Sequence, residues 1–566
     1  MSIKKFNLEF YQAMSLLGKD KYKGYLLSLL FLLVSILEFF GLGLIVPLIS
    51  IFLESQTNSR SNIVYFFLSN NISKEIILVL FAAIFFLKYV LLLFANYLVP
   101  KFIFSIQKKI RLDLIKYFFS QKDNFIESSD LIQLTTNTLS IFSIQYMSNI
   151  FRVLSSSIML LFILSFLLIF NFKGTFLLFL LLVLIFFFYK FYFKKKFKVI
   201  GENLINKNYR IIEISNEIFK GIDEIKVYKK YDLFIEKIKN FSSSYSQSEV
   251  SMRFLIPLPR VLLELVIILS FFLIISVSML TDFEAPLLSL IVYAYAALRI
   301  IPSLNELITS INVARSAKKA VNTIYKYSKI KKNTDIFVKK INFKQIEGKN
   351  INFKYPSSNK INIKNLNFKI QKGEFIGIVG SSGIGKSTIM KILIGFIEPN
   401  SGSLFINNKK LKNYADNIQL ISSYIPQENF ILKSTIRENI TLEDNKIKKY
   451  DQKIFKVLKF CGLSAKINSL NGKLDYVFKE QGKNFSGGQR QRISIARALF
   501  HDKEIFLFDE STSSLDFKSE NEIFKYLASK KNITKIIISH RQNILKYCDK
   551  IILFEKDKIS FKKNGK

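Results

Sequence analysis

The sequence predicts a multi-pass α-helical membrane domain followed by an α/β P-loop domain. Two observations predict this order. Long apolar runs fill the first part of the 566-residue chain, in which half of all residues are hydrophobic and 57 are Phe. The last third carries a glycine-rich loop, a second glycine motif and an acidic strand end, in that order. We expect a membrane domain at residues 1–320, a linker at 321–340 and the P-loop domain at 341–566.

Six apolar runs are long enough to cross a bilayer, which takes ~20 helical residues. They lie at about residues 25–53, 76–99, 145–171, 174–193, 255–280 and 285–308. Soluble core helices do not stay apolar over such lengths, so each run is predicted to span the membrane. A lysine-bearing amphipathic stretch, about Ile3 to Leu17, precedes the first run, and we expect it to lie along the inner membrane surface.

The distribution of basic residues predicts the orientation. Residues 101–111 and 190–210 are rich in lysine and arginine, whereas the connections at 171–174 and 281–284 have almost no positive charge. Cytoplasmic loops carry such an excess, so both termini and the P-loop domain are expected in the cytoplasm, at the cell inner membrane. The net charge of +39 is then explained by topology and attraction to anionic membrane lipids, and no nucleic-acid partner is expected.

The two cysteines, Cys461 and Cys548, fall in the P-loop domain without metal-ligand spacing. This predicts reduced thiols and no disulfide framework.

The glycine-rich loop predicts a phosphate cradle. A buried strand ends at Val379, and the glycines that follow let backbone N–H groups turn inward at the start of a helix. Lys386 places a cation on the β- and γ-phosphates, and the Ser387 hydroxyl is a ligand for Mg²⁺. The residues expected to bind ATP here are Gly380, Ser381, Ser382, Gly383, Ile384, Gly385, Lys386, Ser387 and Thr388.

The acidic strand end predicts hydrolysis. Asp509 follows four apolar residues, the pattern of a central parallel strand, and is expected at a carboxyl strand end as a carboxylate for Mg²⁺. Glu510 comes next and suits a general base that polarises the attacking water. A domain that binds nucleotide without hydrolysing it is disfavoured by Glu510.

With these motifs in place, residues 341–566 resemble the nucleotide-binding domain of an ABC transporter. The resemblance implies that Tyr355 stacks on adenine and that Gln427 touches the metal and faces the membrane domain. It implies that Asp516 lies in the loop that crosses between two ATP sites, and that His540 contacts the γ-phosphate. We therefore expect Glu510, His540 and Gln427 to be catalytic, and Ser387, Gln427 and Asp509 to hold Mg²⁺.

The second glycine motif resembles the family signature. The resemblance implies that Ser486, Gly487, Gly488 and Gln489 close over ATP held by another copy, so the chain is expected to act as a homodimer with two composite sites. The motif begins with Phe485 where leucine is usual, a conservative apolar change.

The membrane half resembles an exporter with six long helices, which implies coupling helices at the cytoplasmic turn-arounds. Phe119–Glu127 and Gly221–Asp232 fit the two turn-arounds, and Glu480–Gly482 resembles the segment that touches the cytoplasmic helices. Merely solvated charged helices are the alternative for both turn-arounds.

Charged residues within the predicted spans point to the cargo. Glu38, Arg260, Glu264 and Arg299 lie in apolar runs, where charges generally face a bundle interior or a watery cavity. Their surroundings, with an apolar outer segment at Asn62–Leu68, resemble PglK-type flippases of lipid-linked oligosaccharides. Arginine suits a polyprenyl pyrophosphate because its fork gives bidentate hydrogen bonds and stays ionised.

Alternatives remain open for each candidate cargo contact and for the function. Arg260 could instead pair with Glu264 one turn away, and Glu38 could be structural. Arg299 has no acidic residue close in sequence, apart from Glu306 further along, and is the preferred cargo contact. Export of a peptide, lipid or apolar small molecule, and a non-transporting membrane-anchored ABC ATPase, are the rival functions.

Overall fold

The computed structural model describes most of the chain. Its described residues are 3–52, 74–120, 128–170, 172–258, scattered positions between 261 and 272, 287–328, 341–355, 362–410, 414–443, 448–479, 482–510, 515–555 and 559–563. The chain divides into two compact units, one within residues 1–332 and the other made mainly of residues 333–566. The first is helical and the second is α/β, so the predicted fold class is confirmed.

The first unit is built from long helices. In chain order they are α1 (Ile3–Leu17), α2 (Lys21–Phe52), α3 (Lys74–Ser120), α4 (Ser128–Gln133), α5 (Ser148–Phe170), α6 (Phe172–Lys220), α7 (Ile222–Tyr228), α8 (Tyr231–Leu255), α9 (Leu287–Ser316) and α10 (Lys318–Ser328). Two π-helical segments, Leu134–Thr138 and Ile141–Met147, lie between α4 and α5. With 47 residues, α3 is about 70 Å long at ~1.5 Å per residue. It is therefore much longer than the ~30 Å hydrocarbon core of a bilayer.

Four helices of the described residues are long and apolar enough to cross a membrane: Phe10–Leu48, Glu75–Phe119, Leu131–Phe170 and Ile291–Ser316. They contain most of the first, second, third and sixth predicted runs. The fourth run, 174–193, forms part of α6. Most of the fifth, 255–280, lies outside the described residues.

The amphipathic N-terminal stretch forms α1 over the predicted residues, Ile3–Leu17. Its apolar side packs against α10: Ala13 and Leu17 are buried in one cluster with Val321 and Ile324. An apolar stripe on a helix is stabilised by burial against another element, and here α10 supplies that element. The inner-surface position of α1 stays a prediction.

The second predicted turn-around contains the short helix α7. Gly221 precedes it and Lys229, at φ +50°, ends it. Its last two residues, Val227 and Tyr228, leave 77% and 73% of their surface exposed. The first turn-around from residue 121 to 127, the outer segment Asn62–Leu68, and Glu480 and Gln481 lie outside the described residues.

The second unit contains two sheets. Its strands are β1 (Gln345–Phe353), β2 (Ile363–Gln371), β3 (Phe375–Gly380), β4 (Ser401–Ile406), β5 (Lys409–Lys410), β6 (Ser422–Ile425), β7 (Ile505–Asp509), β8 (Thr534–Ile538), β9 (Lys550–Phe554) and β10 (Ile559–Lys563). The antiparallel sheet has the order β2-β1-β4-β5, and the larger sheet has the order β10-β9-β3-β8-β7-β6. In the larger sheet β9, β3, β8, β7 and β6 are parallel and β10 is antiparallel.

Helices cover the larger sheet and bring the motifs to it. They are α11 (Lys386–Leu393), α12 (Tyr414–Ile421), α13 (Ile436–Thr441), α14 (Asp451–Phe460), α15 (Ser464–Asn468), α16 (Gly487–His501), α17 (Phe517–Ser529) and α18 (Gln542–Leu545). Every residue of β7 and β8 is buried, which explains the apolar runs 505–508 and 536–538 within them. Ligands of such sheets bind at the carboxyl ends of the strands, where the predicted motifs of β3, β7 and β8 lie.

Both cysteines are buried free thiols, as the sequence predicts. Burial raises the pKa of Cys461 and of Cys548 to about 12, so both remain protonated and unreactive near neutral pH.

Candidate functional site

The phosphate cradle joins the end of β3 to the start of α11. Gly385 precedes α11 at φ +113°, a conformation that favours glycine. A Cβ atom at Gly385 would lie 2.8 Å from the carbonyl oxygen of Asn362, and one at Gly380 would lie 2.6 Å from that of Phe554. The loop therefore requires glycine at both positions. Its backbone N–H groups lead into a helix N-terminus, which fits a phosphate ligand.

Lys386 is held across this loop. Its ammonium donates to the carbonyl oxygens of Gly380 and Ser381 at 2.8 and 3.1 Å, and lies 3.7 Å from Glu510 Oε1. The Lys386 side chain is only 4% exposed. A buried cation beside a ring of backbone donors is suited to the β- and γ-phosphates of ATP.

Two of the predicted Mg²⁺ ligands lie side by side. Ser387 Oγ donates to Asp509 Oδ1 at 3.1 Å, and the Tyr424 hydroxyl donates to Asp509 Oδ2 at 3.0 Å. Hydroxyl and carboxylate oxygens are the donor set that Mg²⁺ prefers, so Ser387 and Asp509 fit this ion. Burial, and then the Asp509 carboxylate, raise the pKa of Tyr424, which keeps its hydroxyl protonated and donating.

Three predicted catalytic residues follow the ends of adjacent parallel strands. Glu510 comes after β7, His540 follows β8 after one residue, and Gln427 follows β6 after one residue. Asp509 pairs with Ile538 across β7 and β8, so Glu510 and His540 leave the sheet at the same edge. Glu510 has φ +46°, an uncommon conformation for a residue with a side chain. His540 and Gln427 are exposed.

Tyr355 lies beside the cradle. Its hydroxyl is 3.3 Å from Thr388 Oγ1 on α11, and its ring packs edge-on against Phe353 at 4.8 Å between centroids. The aromatic residue expected to meet adenine is therefore next to the helix that begins at the cradle.

The signature forms the start of α16. Ser486 Oγ accepts a hydrogen bond from the Gln489 backbone N–H, and the Gln489 side chain accepts one from the Ser486 N–H, which is a capping box. Gly487 and Gly488 are the first residues of the helix. Within the described part of the chain, no hydrogen bond of Ser486 or Gln489 reaches the cradle. Phe485 is buried 4.6 Å from the ring of Phe478, so the aromatic ring fills the core where leucine is usual.

Asp516 begins α17 and is tied to α16. Its carboxylate accepts from the Ser519 N–H at 3.0 Å and forms an ion pair with Arg492 of α16, which also donates to Ser519 Oγ at 2.8 Å. Ser519, followed by Arg492, lowers the pKa of Asp516. Sequence reasoning missed Arg492 and Tyr424. The available signals were their positions in the sequence. Arg492 lies six residues after Ser486, and Tyr424 lies three residues before Gln427.

A charged cluster lies inside the helical unit. Glu38 of α2 is 1% exposed and forms ion pairs with Arg299 of α9, at 3.1 Å between Nε and Oε1, and with Lys88 of α3. Arg299 also donates to the Tyr295 hydroxyl at 3.2 Å. The acidic partner of Arg299 thus comes from a different helix. We name Glu38, Lys88 and Arg299 the ion triad.

The ion triad changes the sequence interpretation in two respects. Lys88 was missed, although it is a lysine within the predicted run 76–99. Glu306, the acidic residue nearest in sequence to Arg299, instead accepts a hydrogen bond from Ser156 at 2.7 Å. Arg260 lies outside the described residues. Two cations share one carboxylate, so the triad carries a net positive charge.

The second unit is similar in sequence to a known protein family. Residues 363–513 match the family model described as ABC transporter. The chain is 31% identical over 377 residues to the ATP-dependent lipid A-core flippase of Wigglesworthia glossinidia brevipalpis, covering 64% of each chain. It is 36% identical over 251 residues to the Lactococcin-G-processing and transport ATP-binding protein LagD of Lactococcus lactis subsp. lactis, covering 43% of this chain and 34% of that relative. These matches span from about a third to just under two thirds of the relatives' lengths.

A solved structure extends the comparison to the whole fold. The structure of a bacterial Atm1-family ABC exporter with ATP bound has a TM-score of 0.74 and 16% identity, covering 97% of this chain and 95% of the other. The chain therefore has the fold of an ABC exporter, with a helical transmembrane unit followed by an ABC-type ATPase domain.

Proposed function

We propose that this protein couples ATP hydrolysis to the flipping of a lipid-linked oligosaccharide, or a related polyprenyl-pyrophosphate glycan, across the cell inner membrane. The glycan would serve protein glycosylation or the assembly of a surface polysaccharide. The ATPase unit would face the cytoplasm, and the working form would be a homodimer in contact with membrane lipids.

The observation that carries the cargo proposal is the ion triad. A buried charge is costly unless it is paired, and here a single carboxylate serves two cations. The excess positive charge, with the Arg299 side chain 27% exposed, favours an anionic group such as a pyrophosphate. The guanidinium also lies 5.5 Å from the ring of Tyr295, which orients its planar fork.

Each predicted site residue has a separate role in the proposed ATP hydrolysis. Backbone N–H groups of the cradle and Lys386 would bind the phosphates, and Tyr355 would meet the adenine. Ser387, Asp509 and Gln427 would hold Mg²⁺, which neutralises phosphate charge when bound. Glu510 would accept a proton from the attacking water, while His540 at the same sheet edge would contact the γ-phosphate.

The signature supports the proposed homodimer. The hydrogen bonds of Ser486 are local, and the chain encodes one cradle and one signature motif. A second copy would bring its Ser486 and glycine N–H groups to the ATP held by the first, giving two equivalent composite sites. Closure on ATP would rearrange the helices, and hydrolysis would reset them.

The relatives support a lipid cargo over a peptide. The match to a lipid A-core flippase covers 377 residues, more than the predicted P-loop domain, and so includes membrane residues. The matches to toxin and peptide exporters, such as LagD over 251 residues and the alpha-hemolysin translocation protein HlyB of Escherichia coli O157:H7 over 218 residues, are shorter. They reflect mainly the ATPase unit.

Flipping of a fluorescent polyprenyl-pyrophosphate oligosaccharide in proteoliposomes tests the proposal. The comparison uses the wild type, Glu510→Gln, Arg299→Ala and the control Arg152→Ala, which removes an exposed arginine of α5. Glu510→Gln should lower ATP hydrolysis by between about 10²- and 10⁴-fold and abolish flipping. Arg299→Ala should abolish flipping and keep ATPase activity, because Lys88 and Glu38 remain as a neutral pair.

Each outcome decides between functions. An ATPase-active wild type that does not flip this lipid would refute the glycolipid cargo and favour the exporter of a peptide or apolar small molecule. ATPase activity indifferent to lipids and glycolipids would favour the non-transporting membrane-anchored ATPase.

A further inference from the structure

The helical unit contains a second feature that the ion triad does not explain. A cavity of about 1180 Å³ lies between the π-helical segments, α6, α8 and the α9–α10 region. This volume exceeds the roughly 300–1,000 Å³ of a pocket for a drug-sized ligand. Gly201 of α6 lines the cavity. A Cβ atom at Gly201 would lie 3.1 Å from Ser316 Cβ of α9, so α6 and α9 approach each other closely at this position.

The lining includes several amides among apolar side chains. Asn137 and Gln145 project from the π-helical segments, and Gln133 and Asn208 add two further amides. Within the described residues, none of these four side-chain amides has a protein hydrogen-bond partner. Each amide both donates and accepts. A ligand whose groups also donate and accept hydrogen bonds, such as a sugar with its hydroxyls, would match these amides.

The charged side chains of the lining all have hydrogen-bond or ion-pair partners. The Lys207 ammonium donates to the Ser244 carbonyl and the Ser248 hydroxyl at 3.0 and 2.9 Å. Arg210 pairs with Glu213 at 2.7 Å. Glu249 pairs with Arg253 at 3.0 Å, and Lys319 donates to Asn206 at 3.4 Å. Lys207 and Lys319 thus bond to neutral groups, and the unpartnered amides are neutral as well, so the lining suits a ligand rich in hydroxyl groups.

Two further features fit such a ligand. Tyr209, Tyr245 and Tyr327 line the cavity, and aromatic rings offer an apolar face together with a polar hydroxyl. The wall also contains both π-helical segments, and π-helical turns occur frequently at functional sites. Arg111 of α3 donates to the Thr135 carbonyl at 3.1 Å, which stabilises a backbone oxygen of the first segment.

We propose that this cavity binds the neutral saccharide headgroup of the cargo. The inference rests on the proposed glycolipid function and divides the recognition: the amide-lined cavity takes sugar units, and the ion triad takes the charged phosphate group. It predicts that the sugar is recognised independently of the lipid and of the pyrophosphate.

The absence of tryptophan from the chain allows a direct test. Tyr245→Trp places a sole tryptophan in the cavity wall, and Tyr228→Trp, on exposed α7, is the matched control. The full-length protein is titrated with the oligosaccharide released from its lipid carrier, and separately with sugar-free polyprenyl pyrophosphate. The released oligosaccharide should change the Tyr245→Trp emission saturably and leave the Tyr228→Trp emission unchanged.

Removing the amides should weaken this response. Asn137→Leu with Asn208→Leu, in the Tyr245→Trp background, should raise the apparent Kd at least about tenfold, since a hydrogen bond contributes ~1 kcal/mol and ~1.4 kcal/mol is a factor of ten. The unfolding temperature should remain unchanged, which separates lost binding from misfolding. An unchanged Kd in this variant overturns the inference.

The reporter also separates the two proposals. A wild type that flips the glycolipid while Tyr245→Trp ignores the oligosaccharide leaves the proposed function standing and overturns the cavity assignment. Binding of the oligosaccharide by a protein that does not flip overturns the glycolipid function and supports the cavity. A response to the sugar-free lipid alone shows an apolar site and overturns the inference.

Discussion

At the scale of single residues, the proposed ATP site is organised by Asp509. Ser387 and Tyr424 donate to its two oxygens at 3.1 and 3.0 Å, which fixes the carboxylate before any metal binds. Ser387 and Asp509 were predictable because their motifs stand in a recognisable order. Tyr424 was not, since its role depends on the pairing of β6 with β7.

Tyr424→Phe should loosen this carboxylate. We expect the Mg²⁺ concentration for half-maximal ATPase activity to rise about three- to tenfold, which corresponds to the ~1 kcal/mol of one lost hydrogen bond. ATP affinity should change less. Tyr414→Phe removes another buried tyrosine hydroxyl, one that donates to the Leu393 carbonyl, and should leave the Mg²⁺ dependence unaltered. Equal effects of the two variants would contradict the prediction.

Lys535 on β8 gives a prediction for pH. Burial lowers its pKa from 10.5 to about 8. Between these values the unfolded chain binds more protons than the folded one, so the free energy of unfolding should rise as pH increases from 8 to 10.5. The pKa is lower by about 2.5 in the folded chain, so the gain is of the order of 3.5 kcal/mol, at ~1.4 kcal/mol per pKa unit.

Lys535→Met should remove this rise and raise the unfolding temperature at pH 7.5, where the wild type retains a buried charge. Lys531→Met, at an exposed position, is the control. Thermal unfolding across pH 7–10.5 measures the difference, and parallel curves for the wild type and Lys535→Met would refute the assignment.

At the scale of elements, α16 and α17 are joined through Arg492 and Asp516. The first helix begins with the signature, and the second begins after the loop expected to cross between the two sites. A rigid connection between α16 and α17 would transmit a movement of one helix to the other within a single chain. The sequence predicted the signature at Ser486 and the crossing loop at Asp516, but not the ion pair between Arg492 and Asp516.

Arg492→Gln should uncouple the two elements. We expect kcat for ATP to fall about tenfold while binding of a fluorescent ATP analogue changes less than about twofold, because the cradle is untouched. A tenfold change corresponds to ~1.4 kcal/mol, which is close to the lower end, ~1.5 kcal/mol, of the range for a hydrogen bond to a charged group. Lys518→Gln neutralises an exposed cation of α17 as the control. A full wild-type kcat in Arg492→Gln would show that the pair is passive.

At the scale of the whole molecule, distant parts of the sequence meet inside the helical unit. The ion triad joins α2, α3 and α9, and a separate buried cluster joins α1 to α10. Pairing charges across three helices specifies how those helices are placed, because any other arrangement leaves a charge buried alone.

Glu38→Gln should therefore destabilise the helical unit. It leaves Lys88 and Arg299 close together without an anion, and breaking a buried pair costs about 3–5 kcal/mol. Glu38→Gln combined with Lys88→Met removes the repulsion and should recover much of the loss. Thermal unfolding in lipid nanodiscs compares both with the wild type. A double variant no more stable than Glu38→Gln would contradict this account.

The sequence by itself determined the motifs of the proposed ATP site and the apolar helices of the helical unit. Both are local: a cradle needs glycines and a lysine at fixed spacing, and a spanning helix needs an uninterrupted apolar run. Tertiary structure decided which groups meet across the chain, as Lys88 with Glu38, Tyr424 with Asp509, and the amides around the cavity. Their distances depend on helix packing and strand order, which no local pattern encodes.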